Sequence, residues 1–172
     1  MATITLKGQP CHTKGKLPAV GSIAPDFQLT SDDLAEVGLE TFVGKKKLIS
    51  IVPSLDTGVC AISAKRFNRE VSNRGDTALI NISADLPFAQ KRFCDSEKLD
   101  HITNLSTFRS PTFGTDYGVQ LLDGPLAGLM SRAVIVVDVD NKIIHAEQHV
   151  PEIVQEPNYD AAMNALNGLS SA

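Results

Sequence analysis

The stretch LISIVPSLDTGVCAISAKRFNREV, residues 48–71, decides the fold of this chain. Its first five residues form a short, nearly all-apolar and β-branched run, which predicts a central strand buried on both faces. Pro53 ends the ladder of that strand because it has no backbone N–H. From Cys60 onward, apolar residues recur at i, i+4, i+7 and i+11, and Gly75 is a suitable stop. The stretch therefore predicts a strand followed directly by a helix.

The same pattern repeats further along the chain. Residues 78–82 form a second buried-strand run, and residues 102–105 are a weaker strand candidate. Between them, Asp85 followed by Pro87 is a capping and first-turn signal for a helix through about Cys94. The order strand, helix, strand, helix is typical of a parallel α/β unit.

Elements at the two ends of the chain complete the arrangement. Residues 133–137 and 142–145 are strands joined across a turn-forming segment, so they predict an antiparallel hairpin. Residues 159–169 carry apolar side chains on one side and predict an amphipathic helix. At the start of the chain, residues 3–7 alternate with period two and predict a β-hairpin within about residues 1–16.

This order is the one expected of a thioredoxin-like α/β sandwich, in which helices flank a mixed central sheet. The order alone does not separate that fold from other α/β folds. At 172 residues the chain is long enough for one well-filled domain. We therefore expect a single domain over residues 1–172 with an N-terminal β-hairpin.

Composition excludes several classes of protein. The chain is 42% hydrophobic and 21% charged, with a net charge of −4, so disorder and a nucleic-acid or anionic-membrane partner are not expected. No apolar run approaches the ~20 residues of a membrane-spanning helix, and the N-terminus lacks a signal-peptide pattern. The three cysteines fit a reducing compartment. We expect a soluble, cytoplasmic protein.

Metal and cofactor sites are not predicted. His145 and His149 are four apart, but in a strand this places them roughly 13 Å apart, too far for one zinc ion, so we interpret them as surface histidines. Cys11, Cys60 and Cys94 are widely scattered and contain no Cys-x-x-Cys pair. No phosphate-binding loop is present, and we expect no cofactor.

Cys60 is the candidate reactive residue of the opening stretch. In the first turn of a helix it faces the positive end of the macrodipole, which favours thiolate over thiol. That end alone contributes on the order of 0.3–1 kcal/mol, so a second cation is needed from elsewhere. Thr57, three residues earlier, places a hydroxyl on the same side of the turn. A buried cysteine on an apolar stripe is also ordinary packing, and local physics leaves both readings open.

A wider resemblance bears on this question. Pro53-x-x-x-Thr57-x-x-Cys60 matches the active-site signature of the peroxiredoxins. Further stretches resemble the thiol peroxidase subfamily, the atypical two-cysteine peroxiredoxins: Ile82–Gln90, Arg92–Cys94, Leu105–Arg109, Tyr117–Val119 and Asp123–Leu126. The resemblance runs over nearly the whole chain.

The resemblance implies roles for five residues. Cys60 would be the peroxidatic cysteine, whose thiolate attacks the O–O bond of a hydroperoxide and becomes a sulfenic acid. Thr57 would hydrogen-bond the peroxide, and Pro53 would shield the thiolate. Arg132 would be the missing cation. Cys94 would be the resolving cysteine, which forms an intrachain disulfide with Cys60.

The resemblance also implies partners and substrates. Thioredoxin would reduce the Cys60–Cys94 disulfide, and bridging two cysteines that both lie in helices would require local unwinding. Family members are homodimers that reduce hydrogen peroxide and alkyl hydroperoxides in antioxidant defence. Cys11 matches no family role, and we interpret it as an ordinary hairpin thiol.

Two other functions use the same residues. A peroxide sensor that passes its oxidation to a partner protein would carry the same Cys60, Cys94 and Arg132, and only turnover separates it from an enzyme. A disulfide oxidoreductase is disfavoured because Thr57 stands where a Cys-x-x-Cys motif would place its first cysteine.

Overall fold

The computed structural model describes residues 2–148 and 155–169. The strands are β1 (Thr3–Leu6), β2 (Gln9–His12), β3 (Leu29–Ser31), β4 (Glu36–Val37), β5 (Lys46–Ile51), β6 (Thr77–Ser83), β7 (Ile102–Ser106), β8 (Ala133–Val137) and β9 (Ile143–Gln148). The α-helices are α1 (Gly58–Val71), α2 (Pro87–Glu97), α3 (Phe113–Asp116) and α4 (Tyr159–Asn167), and a 3₁₀ turn spans Leu39–Phe42. In this part of the chain, no helix is long and apolar enough to cross a membrane.

Seven strands form one mixed sheet in the order β4-β3-β7-β6-β5-β8-β9. The three central strands β5, β6 and β7 run parallel, whereas β3, β8 and β9 pair antiparallel with their neighbours. The β1–β2 hairpin forms a separate two-stranded sheet, in which Thr3 pairs with His12. The predicted mixed sheet, N-terminal hairpin and C-terminal hairpin are thus confirmed.

Helix α1 follows the predicted apolar stripe, and all four stripe residues are buried. It starts at Gly58, two residues before the stripe begins, because Thr57 in extended backbone already occupies the cap position. It ends at Val71, so the predicted stop at Gly75 is wrong by one turn. The chain leaves the helix through hydrogen-bonded turns that precede β6.

The sheet has two differently filled faces. One face packs against α1 and α4 through an apolar cluster that includes Leu48, Phe67, Leu79, Val134 and Tyr159. Side chains two apart along a strand share a face. Toward the carboxyl ends of β5, β6 and β7, the residues on this same face are polar. The buried residues of this polar layer are Ser50, Asn81, Ser83, Asn104 and Ser106. Helix α2 hydrogen-bonds to this layer through Gln90 and Cys94.

The predicted second helix is confirmed, but its cap is not. The residue in the cap position of α2 is Leu86, and Pro87 is the first helical residue. Asp85 lies one residue too early, and its carboxylate bonds to a different part of the chain. The local signal placed the helix correctly and misassigned the side chain.

His145, interpreted as a surface histidine, is partly exposed on a strand at one edge of the sheet. Its side chain is 22% exposed and lies in β9, with Nε2 3.5 Å from a carboxylate oxygen of Glu147. The corresponding prediction for His149 lies outside the described residues.

Candidate active site

Cys60 lies in the first turn of α1, and its side chain is fully buried. The first turn of a helix carries backbone N–H groups without intrahelical acceptors, together with the positive end of the macrodipole. The fold therefore places the thiol where negative charge on sulfur is stabilised. Burial alone would oppose that charge, so the site needs a cation close to the sulfur.

Arg132 is that cation. The antiparallel pairing of β8 with β5 sets Ala133 opposite Ile51, which brings the residue before β8 beside the loop that leads to Cys60. The Arg132 side chain is almost fully buried, and its Nη2 donates to Cys60 Sγ at 3.0 Å. A hydrogen bond to a charged group contributes about 1.5–3 kcal/mol, more than the helix end contributes. The guanidinium therefore supplies fixed positive charge at the Cys60 sulfur.

Pro53 and Thr57 lie between β5 and Cys60. Pro53 is buried two residues after the strand ends, whereas Thr57 is exposed at the helix cap. The Thr57 hydroxyl donates to the carbonyl oxygen of Ser54 at 3.0 Å. Because its proton is directed at Ser54, the Thr57 oxygen presents lone pairs as an acceptor on its remaining sides.

Asp85 joins this loop to the end of β6. The sequence did not reveal this connection. Its carboxylate accepts hydrogen bonds from the Leu55 N–H at 2.8 Å, the Ser54 hydroxyl at 2.7 Å and the Ser83 hydroxyl at 2.8 Å. A carboxylate just before a helix is a common cap, so the local signal favoured the wrong partner. The loop before Cys60 is thus tied to the end of β6.

Cys94 lies in α2, half-buried, and its Sγ accepts a hydrogen bond from Asn104 Nδ2 at 2.8 Å. Burial raises the pKa of the Cys94 thiol above its ordinary value; the Asn104 bond acts in the opposite direction, and the nearby Asp32 and Asp95 carboxylates raise it further. At neutral pH this thiol is therefore protonated while α2 is docked. Asn104 is a contact that spacing in the sequence did not point to.

A cleft of about 620 Å³ separates the start of α1 from α2. Its lining includes residues next to both cysteines, namely Thr57, Gly58 and Ala61 on one side and Phe93 on the other. An ion pair of 2.8 Å between Lys65 and Glu97 also joins the two helices. The structure thus brings Arg132 onto the Cys60 sulfur, with Pro53 and Thr57 in the segment that leads to Cys60, and places Cys94 on the helix across the cleft.

The third cysteine lies in a different part of the fold. Cys11 is buried in β2, where it packs in a small apolar cluster with Ile4 and Leu121. All three cysteines are free thiols in this structure. The surroundings of Cys11 agree with its interpretation as a hairpin thiol.

Fold and site together define a class of protein. Residues 19–163 match the model of the Redoxin family. A crystal structure of a peroxiredoxin-like protein from Aquifex aeolicus superposes with a TM-score of 0.87 at 37% identity, covering 97% of each chain. The chain therefore belongs to the redoxin family, and its thioredoxin-like fold is confirmed.

Its similarity within that family is to thiol peroxidases. The chain is 50% identical over 166 residues to the thiol peroxidase of Mycobacterium tuberculosis, covering 96% of this chain and 99% of the relative. A thiol peroxidase from Chromobacterium violaceum superposes with a TM-score of 0.89 at 26% identity, covering 96% of this chain and 95% of that one. The subfamily resemblance recognised in the sequence is thereby confirmed.

Proposed function

We propose that this peroxidase reduces hydrogen peroxide and alkyl hydroperoxides through Cys60. The observation that carries the proposal is the buried 3.0 Å hydrogen bond from Arg132 Nη2 to Cys60 Sγ at the start of α1. Fixed positive charge stabilises both the thiolate and the charge that develops on oxygen during attack. A cysteine that served only packing would not need a buried guanidinium.

In the first step, the Cys60 thiolate attacks one oxygen of the hydroperoxide. The S–O bond forms as the O–O bond breaks, so sulfur loses two electrons and the peroxide gains them. One proton completes the alcohol or water that leaves, and Cys60 becomes a sulfenic acid. Thr57 would hold the peroxide by accepting its O–H hydrogen, while buried Pro53 keeps water from the sulfur.

In the second step, Cys94 resolves the sulfenic acid. Its sulfur attacks Cys60, an S–S bond forms, and the sulfenic oxygen leaves as water. Because Cys94 is bound to Asn104 on α2, that helix must loosen before the two sulfurs meet. The Cys60–Cys94 disulfide would then be returned to two thiols by thioredoxin through a mixed disulfide.

We also propose that the chain is one domain and works as a homodimer in the cytoplasm. Three large apolar side chains are exposed near the cleft: Leu86, Phe88 and Phe108. Leu86 follows Asp85, whose carbonyl accepts the Ser106 hydroxyl, and Ser106 in turn accepts the N–H of Phe108. The three side chains therefore cluster at one end of the sheet, where a second copy would cover them. Light scattering after gel filtration tests the dimer.

The activity is tested by peroxide consumption with thioredoxin, thioredoxin reductase and NADPH. Hydrogen peroxide is compared with a bulkier alkyl hydroperoxide. We expect many turnovers for the unaltered chain, none above background for Cys60→Ser, and full activity for the matched variant Cys11→Ser. Consumption of only about one equivalent of peroxide per chain would instead assign a peroxide sensor that passes its oxidation to a partner. Full activity in Cys60→Ser would refute the assignment.

A further inference from the structure

One peptide unit connects the Asp85 carboxylate to the Thr57 hydroxyl. The N–H of the Ser54–Leu55 peptide donates to Asp85 Oδ2 at 2.8 Å. The C=O of the same peptide accepts the Thr57 hydroxyl at 3.0 Å. In a planar trans peptide these two groups point in opposite directions. The planar peptide is therefore hydrogen-bonded to the Asp85 carboxylate on one side and to the Thr57 hydroxyl on the other.

The carboxylate bonded to this peptide is itself held in place. Asp85 accepts the hydroxyls of Ser54 at 2.7 Å and Ser83 at 2.8 Å. Its own backbone is fixed as well, since its carbonyl accepts the Ser106 hydroxyl at 2.5 Å. Ser83 and Ser106 are fully buried and end two adjacent parallel strands. Asp85 is thus anchored to the sheet, while Thr57 lies at the exposed cap of α1.

The orientation of the peptide decides which way the Thr57 hydroxyl points. If the Ser54 carbonyl turned away, the hydroxyl would be free to rotate, and its oxygen would no longer present lone pairs in one fixed direction. A negatively charged acceptor binds a backbone N–H about twice as strongly as a neutral one does. The carboxylate is therefore suited to hold this peptide in one orientation.

We propose that Asp85 is a positioning residue for peroxide reduction, acting through the Ser54–Leu55 peptide on Thr57. Its described hydrogen bonds are with Ser54, Leu55, Ser83 and Ser106, and it is proposed to act through the peptide rather than on the reacting atoms. It sets the Thr57 oxygen as the acceptor that aligns the hydroperoxide with the Cys60 sulfur. This inference rests on the proposed function, and it adds a residue that the active-site signature does not contain.

A double-mutant cycle tests the path of action. The rate constant for the first oxidation of Cys60 by hydrogen peroxide is measured in single turnover for four forms: unaltered, Asp85→Ala, Thr57→Val and the double variant. We expect Asp85→Ala to lower this constant about 10- to 100-fold. In the Thr57→Val background the same change should cost less than about threefold, because the hydroxyl that Asp85 positions is already absent.

Two further variants separate positioning from general stability. Asp138 is also a half-buried carboxylate that accepts backbone N–H bonds, from Asp140 and Lys142, at the opposite end of β8 from Arg132. Asp138→Ala should therefore lower the free energy of unfolding without changing the oxidation rate. Asp85→Asn retains an oxygen that accepts the Leu55 N–H, and should restore the rate to within about threefold of the unaltered chain.

The outcomes are distinct. An equal cost of Asp85→Ala in both backgrounds, or a cost below about threefold with Thr57 present, would overturn the inference. If Asp85→Ala shows no cooperative unfolding, Asp85→Ser replaces it, because its hydroxyl is too short to reach the Leu55 N–H. Failure of the unaltered chain to reduce any hydroperoxide would refute the proposed function itself, independently of Asp85.

Discussion

The two cysteine-bearing helices are held to the sheet in different ways. Helix α1 buries six of its 14 residues, among them Phe67 in an apolar cluster with α4. Helix α2 buries two of its 11 residues, Pro87 and Gln90, and lies over the polar layer. Apolar packing fixes the helix that must present a sulfur in one geometry. Hydrogen bonds and an ion pair hold α2, the helix that is proposed to loosen during resolution.

The largest expected effect comes from removing Cys94, the proposed resolving cysteine. Cys94→Ser should retain the first oxidation of Cys60 within about twofold, since α1 and Arg132 are untouched, but lose at least about 100-fold in turnover with thioredoxin. Single-turnover oxidation and steady-state NADPH consumption, measured on the same preparation, separate the two steps. Normal steady-state turnover in this variant would remove Cys94 from the cycle.

The packing difference predicts unequal costs for two phenylalanine truncations. Phe67→Ala in α1 removes a fully buried ring and should lower the free energy of unfolding by about 3–5 kcal/mol. Phe93→Ala in α2 removes a ring that is only partly buried, and should cost about 1 kcal/mol. Denaturant unfolding of both variants measures the difference. Equal costs would mean that α2 is packed as firmly as α1.

Arg132→Met tests the contact between Arg132 and Cys60 at the start of α1. Loss of the hydrogen bond to Cys60 should cost about 1.5–3 kcal/mol, or roughly 10- to 100-fold in peroxide reactivity. The rate constant for the first oxidation of Cys60 by hydrogen peroxide, measured in single turnover, reports this loss. Circular dichroism serves as the folding control. An unchanged oxidation rate constant in a folded variant would mean that Arg132 does not act on Cys60.

The smallest expected effect concerns pH and the Cys94 thiol. Burial raises the pKa of Cys94, so the folded state holds this proton more tightly than the unfolded chain does. The resulting stability is fully present below the thiol's unfolded pKa of about 8.5, and is lost as pH rises through the higher folded value. Under reducing conditions, the unfolding free energy of the unaltered chain should fall relative to that of Cys94→Ser over this range. A constant difference between the two would contradict the raised pKa.

The sequence predicted those parts of the fold that depend on local periodicity. The apolar runs at β5, β6 and β8 and the stripe of α1 were correct because burial imposes a period that neighbours in the chain share. Asp85 was misassigned because the same carboxylate is a good cap and a good acceptor for a distant loop. Only the arrangement of β5 beside β6 decides between these two.

In the candidate site, too, local features were predictable from the sequence and long-range contacts were not. Cys60 was visible as a candidate from its place before a helix, but its cation was placed by resemblance alone, since Arg132 lies 72 positions away. The Asn104 contact with Cys94 depends on how α2 rests on β7, which no local pattern encodes. Long-range pairings therefore account for what sequence reasoning missed.

The polar residues beneath α2 determine the heat-capacity change expected for the proposed release of this helix from the sheet. Exposure of apolar surface raises the heat capacity, whereas exposure of polar surface lowers it. Release of α2 would hydrate its buried polar partners Ser83 and Asn104, so its heat-capacity change should be small or negative. The logarithm of the equilibrium constant for opening would then vary almost linearly with inverse temperature. The same plot for global unfolding of the molecule would be strongly curved.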